Sequence, residues 1–133
     1  MTNRRNILKS FLFIPAAMLL PSSLRKKPTS HARLIPFLET NLAGFKYYRG
    51  SEISDRIRTG DRLSLLREPS NPYDYDAVQV FRGRDKLGYI PRTDSSTVAQ
   101  MMDRGVQLTA RIQRISGADD QDKEIYLEVE MQV

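Results

Sequence analysis

The chain has 133 residues, of which 40% are hydrophobic and 28% are charged, which suits one folded domain and excludes a fibrous or wholly disordered protein. It has no cysteine and one histidine, so disulfides, cysteine nucleophiles and clusters of histidine ligands are excluded. The net charge of +5 is concentrated in the first 32 residues, which hold six basic and no acidic residues. Residues 33–133 hold 15 basic and 16 acidic residues, so the basic composition is no evidence that this part binds nucleic acid.

Residues 1–32 have the organisation of an export leader, which places the folded domain at residues 33–133. A basic start, RRNILK at 4–9, precedes an apolar run, FLFIPAAMLL at 11–20, that is shorter than the ~20 residues that a membrane span needs. The start resembles a twin-arginine signal peptide, which implies export of the folded protein to the periplasm and no membrane span after cleavage near residues 30–32. The alternative is an uncleaved, weak membrane-surface anchor on a protein that stays in the cytoplasm.

The first half of the domain is predicted to contain two strands, a short helical turn and a loop. We expect the first strand over Leu34–Tyr48 and one helical turn over residues 51–57, which begins at a serine. A turn at 60–61 leads into a short strand over 63–66. Two prolines in the segment EPSNPYDY, residues 68–75, indicate a loop.

Two further strands, over 77–81 and 87–90, are predicted to precede the one helix. We expect this helix over Thr93–Arg104, because its apolar residues recur on one face. Thr93 or Asp94 is expected to cap its start, and Gly105 to end it.

The last part of the chain has the clearest pattern. Apolar and polar residues alternate strictly over 106–113 and 125–133, on either side of a polar turn at 117–123. This alternation predicts two strands, each with one buried and one solvated face. The order of four strands, one helix and two final strands favours a mainly β fold, a small antiparallel β-barrel with one α-helix.

Few residues offer catalytic or metal-binding chemistry. Asp74 and Asp76 lie two positions apart, as acid–base carboxylates can, but a proline-containing loop more often uses aspartate to bond its own backbone. The acidic segment 119–122 lacks the spacing of a calcium-binding loop, and the sequence contains no phosphate-binding glycine loop. We therefore expect a protein that is not an enzyme and that needs no metal or cofactor.

Residues 46–49, Lys-Tyr-Tyr-Arg, interleave aromatic rings with cations. Binding surfaces for single-stranded nucleic acid use this combination, with rings for base faces and cations for phosphates. Tyrosines at strand ends also commonly cover the edge of a core, and composition alone favours this second interpretation.

The combined pattern of four segments resembles the HIRAN domain over residues 42–105. The segments are AGFKYY at 43–48, GDRLSLLREPSNPYD at 60–74, AVQV at 77–80 and LGYIPR at 87–92. The resemblance implies a fold similar to the oligonucleotide-binding barrels. It also implies binding of single-stranded DNA at a free 3′ end, as HIRAN domains of helicase-like proteins do.

The resemblance implies roles for individual residues of this sequence. Asn71 and Tyr73 would line a pocket for the strand end, and Asp74 would accept a hydrogen bond from the terminal hydroxyl. A carboxylate accepts a hydrogen bond from a hydroxyl but repels a phosphate, so Asp74 would select an unphosphorylated end. Asn71 and Asp74 also suit a purely local role, in which their side chains only cap the loop.

Four more residues complete the implied site. Lys46 would meet a phosphate, without the fork-like contact of the arginine that is familiar at this position, and Tyr47 would stack on a base. Arg92 would hold the phosphate next to the end, whereas Tyr89 belongs either to the site or to the core. We expect the side chains of 47, 71, 73, 74 and 92 to converge on one exposed groove.

Export and DNA binding conflict, because a periplasm holds little DNA with free ends. The alternative partner is therefore an envelope protein or a small ligand that uses the same groove. A positive face around Lys46, Arg49 and Arg92 would favour nucleic acid, and neutral or acidic surroundings would favour the alternative.

Overall fold

The computed structural model describes residues 33–119 and 122–133, so the predicted leader at 1–32 lies outside the described residues. Within these ranges the chain forms six strands and one α-helix: β1 (Leu34–Asn41), β2 (Arg62–Arg67), β3 (Val78–Arg82), β4 (Asp85–Tyr89), α1 (Arg92–Asp103), β5 (Leu108–Ser116) and β6 (Glu124–Gln132). No helix in the described part is long and apolar enough to cross a membrane.

The six strands form one antiparallel sheet in the order β1-β6-β5-β2-β3-β4, with α1 between β4 and β5. The mainly β fold with a single helix in this place is confirmed, but the expected closed barrel is wrong, because β1 and β4 remain the edges of an open sheet. One isolated bridge crosses the opening, where Ala43 and Tyr89 exchange two backbone hydrogen bonds of 2.9 Å. The pairing stops there because Gly44 adopts a left-handed conformation, with φ of 78°, and turns the chain away from β4.

The same turn corrects the predicted first strand. β1 ends at Asn41, and the rest of the segment predicted as strand contains a short 3-10 helix, Phe45–Tyr47, which a second one, Arg49–Ser51, follows. Phe45 is buried in this turn, and its ring lies where a side chain on Gly50 would have to be. The aromatic residues of this segment therefore follow the geometry of a turn rather than the alternation of a strand.

The core lies between the inner face of the sheet, α1 and the segment after the 3-10 helices. The inward residues of β6, namely Ile125, Leu127 and Val129, are fully buried, as their alternation predicted. Ile53 and Ile57 are buried too, although the segment expected as a helical turn forms turns and bends after the 3-10 helix that ends at Ser51. Burial of each large aliphatic side chain contributes about 1.5–3 kcal/mol to folding.

Helix α1 begins and ends within one residue of its predicted limits, but its start is not capped as expected. Pro91 occupies the N-cap position, and no side chain caps the helix there. The carboxylate of Asp94 instead accepts a 2.6 Å hydrogen bond from the hydroxyl of Thr40 on β1. At the other end, Gly105 has a φ of 89° and its N–H donates to the carbonyl of Met102, so it ends the helix as predicted.

Candidate functional site

A pocket of about 240 Å³ opens between the loop that follows β2, the end of β4 and the start of α1. We call it the end pocket. It is lined by Ala43, Tyr48, Asn71, Tyr73, Asp74, Ala77, Tyr89, Ile90 and Arg92. Five of the seven sequence-predicted site residues therefore line one pocket, although their positions span 22 residues of the chain, from 71 to 92.

The other two predicted residues, Lys46 and Tyr47, line a second pocket of about 490 Å³, which we call the side pocket. Residues 41–42, 44–45 and 122–124 complete its lining. Tyr47 therefore lines the side pocket, whereas the other four residues expected in one groove line the end pocket. Because the segment forms a 3-10 helix that ends at Tyr47, the two adjacent tyrosines point into different pockets, and Tyr48 faces the end pocket.

Asn71 shapes the loop from within. Its Oδ1 accepts hydrogen bonds from the backbone N–H groups of Tyr73 and Asp74, at 2.8 and 3.2 Å, and its Nδ2 donates to Oε1 of Glu68 at 2.7 Å. These bonds form an Asx turn, which suits the cap role considered for Asn71. The turn leaves the Tyr73 side chain 81% exposed at the rim of the pocket.

The carboxylate of Asp74 is fixed between the loop and the helix. Oδ1 accepts a hydrogen bond from the Asp76 N–H at 2.9 Å, and Oδ2 accepts one from the hydroxyl of buried Ser95 at 2.8 Å. Each carboxylate oxygen has two lone pairs, so each retains acceptor capacity beyond the bond that it makes. The Asp74 carboxylate thus has the local role in the loop that was considered for it, with the backbone N–H of Asp76 as one of its donors.

Arg67, the last residue of β2, links the end of the loop before β3 to α1 through hydrogen bonds. Its Nη1 donates to the carbonyl of Ala77 at 2.9 Å and its Nη2 to that of Tyr75 at 3.2 Å. Its Nε donates to the carboxylate of Asp103 in the last turn of the helix, also at 2.9 Å. The last bond raises the pKa of Arg67 and lowers that of Asp103, so both groups are charged at neutral pH.

Tyr89 lines the end pocket, and its hydroxyl forms hydrogen bonds with two residues that do not line the pocket. The hydroxyl donates to Oε1 of Glu68 at 2.6 Å and accepts from Nζ of Lys86 at 2.7 Å. The same Nζ lies 4.2 Å from the centroid of the Tyr89 ring and 4.5 Å from that of Tyr48. Burial, followed by the bond to Glu68, raises the pKa of Tyr89, so its phenol stays protonated and donates this bond at neutral pH.

Sequence reasoning missed three residues of this cluster as site residues: Tyr48, Glu68 and Lys86. The Lys-Tyr-Tyr-Arg segment signalled a tyrosine near the site, but the local turn decides which of the two faces the end pocket. Glu68 and Lys86 had no signal of their own, because their contacts depend on how β2, β3 and β4 pair.

The positive face expected around Lys46, Arg49 and Arg92 is partly neutralised by acidic neighbours of Arg49. Lys46 is exposed, with its Nζ 5.4 Å from the centroid of the Tyr47 ring, and Arg92 is exposed at the first position of α1. Arg49 instead pairs with Glu52 at 2.9 Å and with Asp85 at 3.5 Å. The N–H groups of the first helical turn add to Arg92 a partial positive charge that suits an anion.

Comparison with known proteins identifies the arrangement. The family model of the HIRAN domain matches residues 35–133. This chain belongs to the HIRAN domain family.

Two curated relatives are much longer than this chain. A putative SWI/SNF-related matrix-associated actin-dependent regulator of chromatin, subfamily A member 3-like 1, from Arabidopsis thaliana is 39% identical over 75 residues, which are 56% of this chain and 8% of the relative. The helicase-like transcription factor of Mus musculus is 33% identical over 63 residues, which are 47% of this chain and 6% of the relative. The chain spans less than a tenth of the length of these relatives.

Solved structures support the same fold. A protein from Lactobacillus plantarum aligns with a TM-score of 0.67 and 25% identity, covering 76% of this chain and 97% of that one. The HIRAN domain of human HLTF aligns with a TM-score of 0.61 and 22% identity, covering 76% of this chain and 78% of that one. The HLTF HIRAN domain in its DNA-bound conformation aligns with a TM-score of 0.53 and 21% identity, covering 75% and 79%.

Proposed function

We propose that this HIRAN domain is a binding module that recognises single-stranded DNA at a 3′-hydroxyl end. The observation that carries the proposal is the end pocket, in which a fixed carboxylate, an exposed aromatic ring and an exposed arginine face one small cavity. The DNA-bound conformation of the HLTF HIRAN domain supports DNA as the class of ligand.

In this proposal Asp74 reads the chemical nature of the end. Its carboxylate accepts a hydrogen bond from the terminal 3′ hydroxyl, while a terminal phosphate in the same place would be repelled. The cavity of about 240 Å³ is small, as a pocket for a single strand end would be. Tyr73 offers its exposed ring to the terminal base, and Arg92 with the first turn of α1 holds the adjoining phosphate.

The side pocket supplies affinity that ignores the terminal group. The ring of Tyr47 is 75% exposed and free to stack on a base further from the end. Lys46 lies beside this ring and can approach the phosphate of the same nucleotide. The two pockets are adjacent along the chain at residues 41–48, so one strand is proposed to run from the end pocket past Tyr47.

We also propose that the module has no catalytic activity of its own and needs no cofactor. Of Asp74 and Asp76, the one carboxylate pair that the sequence suggested for acid–base work, the Asp74 carboxylate is held by hydrogen bonds from the Asp76 N–H and the Ser95 hydroxyl. The described residues contain no group of three side chains suited to a metal ion.

End recognition is tested by comparing a linear single strand with a covalently closed circle of the same sequence at one salt concentration. The proposal expects the linear strand to bind about tenfold more tightly, which is the size of one charge-assisted hydrogen bond. The six basic residues of the leader contribute equally to both complexes, so they cancel in this ratio. Equal affinity for circle and line would contradict end recognition, and absence of binding at micromolar protein would favour an envelope protein or small ligand in the groove.

We further propose that residues 1–32 direct export by the twin-arginine route, so that the module works in the periplasm. The arginine pair at positions 4 and 5 carries this proposal, because the pathway requires arginine rather than positive charge alone. Replacement of both by lysine should leave the protein in the cytoplasmic fraction. Unchanged export of the double variant would contradict the assignment.

A further inference from the structure

Glu68 begins the loop that forms the end pocket, and its carboxylate is shared by two residues that line that pocket. Its Oε1 accepts a 2.6 Å hydrogen bond from the Tyr89 hydroxyl and a 2.7 Å hydrogen bond from Nδ2 of Asn71. Glu68 itself is not among the lining residues. Its carboxylate therefore connects two lining residues, Asn71 and Tyr89, without lining the pocket itself.

The bond to Asn71 extends to the residues that face the ligand. Because Glu68 holds Nδ2, the opposite edge of the Asn71 amide faces the N–H groups of Tyr73 and Asp74. The amide can make both sets of contacts only in this orientation, since one edge donates and the other accepts. Nδ2 also lies 3.5 Å from the Tyr89 hydroxyl, so Glu68 at 2.7 Å supplies the nearer of two acceptors. The direction of the Asn71 side chain, and with it the course of the loop at residues 73–74, therefore depends mainly on Glu68.

The bond to Tyr89 anchors the same carboxylate to the sheet. Lys86 donates to the Tyr89 hydroxyl, and its Nζ lies 4.0 Å from Oε2 of Glu68. The hydrogen bonds from Tyr89 and Asn71, with the charge of Lys86, keep the pKa of Glu68 below its usual value. Glu68 is therefore an ionised acceptor at neutral pH, held on one side by β4 and on the other by the loop.

We infer that Glu68 is a positioning residue, whose carboxylate holds Asn71 and Tyr89 so that Tyr73 and Asp74 meet a strand end in one fixed arrangement. This inference rests on the proposed function. It assigns to Glu68 the selectivity for the hydroxyl end rather than the total affinity, because Glu68 is not among the residues that line the side pocket. Loss of Glu68 should therefore bring the affinities for hydroxyl and phosphate ends closer together.

The test uses the full chain with Glu68→Ala, Glu68→Gln and a matched control, Glu128→Ala. Glutamine keeps an oxygen that both donors can reach and removes the charge. Glu128 also binds through two short contacts, to Nε and Nη2 of Arg111 at 3.0 and 2.8 Å, but it does not line the end pocket. Each variant is titrated with two oligonucleotides that differ only in a 3′ hydroxyl or a 3′ phosphate.

The hydroxyl-to-phosphate affinity ratio should fall about threefold to tenfold in Glu68→Ala, fall less in Glu68→Gln, and stay unchanged in Glu128→Ala. An unchanged ratio in Glu68→Ala would overturn the inference. So would a loss in Glu68→Gln as large as that in Glu68→Ala, because charge and not hydrogen-bond geometry would then be responsible.

A second measurement on the free protein separates this inference from the proposed function. Amide exchange of the Tyr73 and Asp74 N–H groups should be faster in Glu68→Ala than in wild type, with exchange in β6 unchanged as evidence of intact folding. If the wild type shows no preference for the hydroxyl end, the proposed function fails. The exchange measurement alone then tests whether Glu68 positions the loop. Faster exchange then still supports positioning by Glu68, and unchanged exchange overturns it.

Discussion

The two pockets of this domain are built in different ways, although residues 41–48 contribute to both. In the end pocket, Asn71, Asp74 and Tyr89 are each bonded to other side chains before any ligand arrives. In the side pocket, Lys46 and the Tyr47 ring project from a short 3-10 helix into solvent. A prearranged pocket suits recognition of one chemical group, whereas exposed rings and cations suit stacking and phosphate contacts that accept any sequence.

Because of this contrast, we expect selectivity and affinity to respond to different substitutions. Changes in the end pocket should alter the preference for one kind of end, and changes in the side pocket should weaken all single strands alike. The largest effect, a loss of both stability and affinity, is expected from a substitution at a backbone contact that supports both pockets.

That shared contact is the bridge between Ala43 and Tyr89. Gly88, beside it, has a φ of 156°, and a methyl group on this residue would lie 2.2 Å from the carbonyl oxygen of Ala43. Gly88→Ala should therefore break the bridge, cost about 2 kcal/mol of unfolding free energy, and weaken binding of both kinds of end. Urea unfolding and titration measure the two losses.

Gly83→Ala is the matched control for that substitution. Gly83 lies in the turn between β3 and β4 and also has a positive φ, of 61°, but a methyl group there meets nothing within 4 Å. It should cost only about 1 kcal/mol of backbone strain and leave the affinity unchanged. A binding loss as large as that of Gly88→Ala would mean that general destabilisation, and not the bridge, couples the pockets.

Asp74→Ala should lower affinity for a hydroxyl end by roughly tenfold to a hundredfold, because a charge-assisted hydrogen bond is lost. Affinity for a phosphate end should fall much less, since the repelling charge is lost as well. Asp76→Ala removes a neighbouring carboxylate that does not line the pocket, so it serves as the control for charge. Equal losses for the two ends in Asp74→Ala would remove Asp74 from end recognition.

Tyr47→Ala should weaken hydroxyl and phosphate ends alike, by about tenfold, because stacking on a ring ignores the terminal group. Tyr75→Ala is the control, since Tyr75 is as exposed as Tyr47 (85% against 75%) but lines neither pocket. Fluorescence titration at fixed salt measures both. A similar loss from the two variants would indicate that exposed rings in general, and not the side pocket, attract the strand.

Arg92→Ala should weaken binding a few-fold and reduce the steepness of the salt dependence by about 0.7, the value for one phosphate contact on a single strand. The measurement is a series of titrations across salt concentrations. An unchanged slope would show that Arg92 does not contact a phosphate.

The smallest expected effect is the contribution of Glu68 to stability. Because its pKa in the folded protein is lowered, first by the bond from Tyr89, the carboxylate stabilises the fold fully above its ordinary value of 4.5 and ceases to do so as pH falls through the lowered value. Glu68→Gln should therefore be about 1 kcal/mol less stable than wild type at neutral pH, and this difference should shrink as the pH falls below 4.5 and vanish below the lowered pKa of Glu68. A difference that persists in acid would contradict this role of the ionised carboxylate.

Sequence patterns predicted the regular parts of this fold well. Strict alternation located β5 and β6, and Gly105 ended the helix as expected, because both signals depend on neighbours in the chain. The open sheet was not predicted, since closure depends on how β1 meets β4 across the whole domain, and Gly44 ends that meeting after one bridge.

The candidate site was only partly accessible from sequence for a related reason. The resemblance to the HIRAN domain indicated Tyr73, Asp74 and Arg92, which line the end pocket. It could not indicate that Tyr48 rather than Tyr47 faces this pocket, because a 3-10 turn replaces the expected strand. Nor did it reveal Glu68, whose partner Tyr89 is brought to it by the pairing of β2, β3 and β4.

The most direct test of the account is the affinity of the wild-type chain, at one salt concentration, for two single strands that differ only in a 3′ hydroxyl or a 3′ phosphate. Asp74→Asn, which keeps an acceptor oxygen but no charge, is titrated beside it. We predict that the wild type prefers the hydroxyl end by about tenfold and that Asp74→Asn loses most of this preference. Equal affinity of the wild type for both ends would contradict the central claim that the end pocket reads the end of a strand.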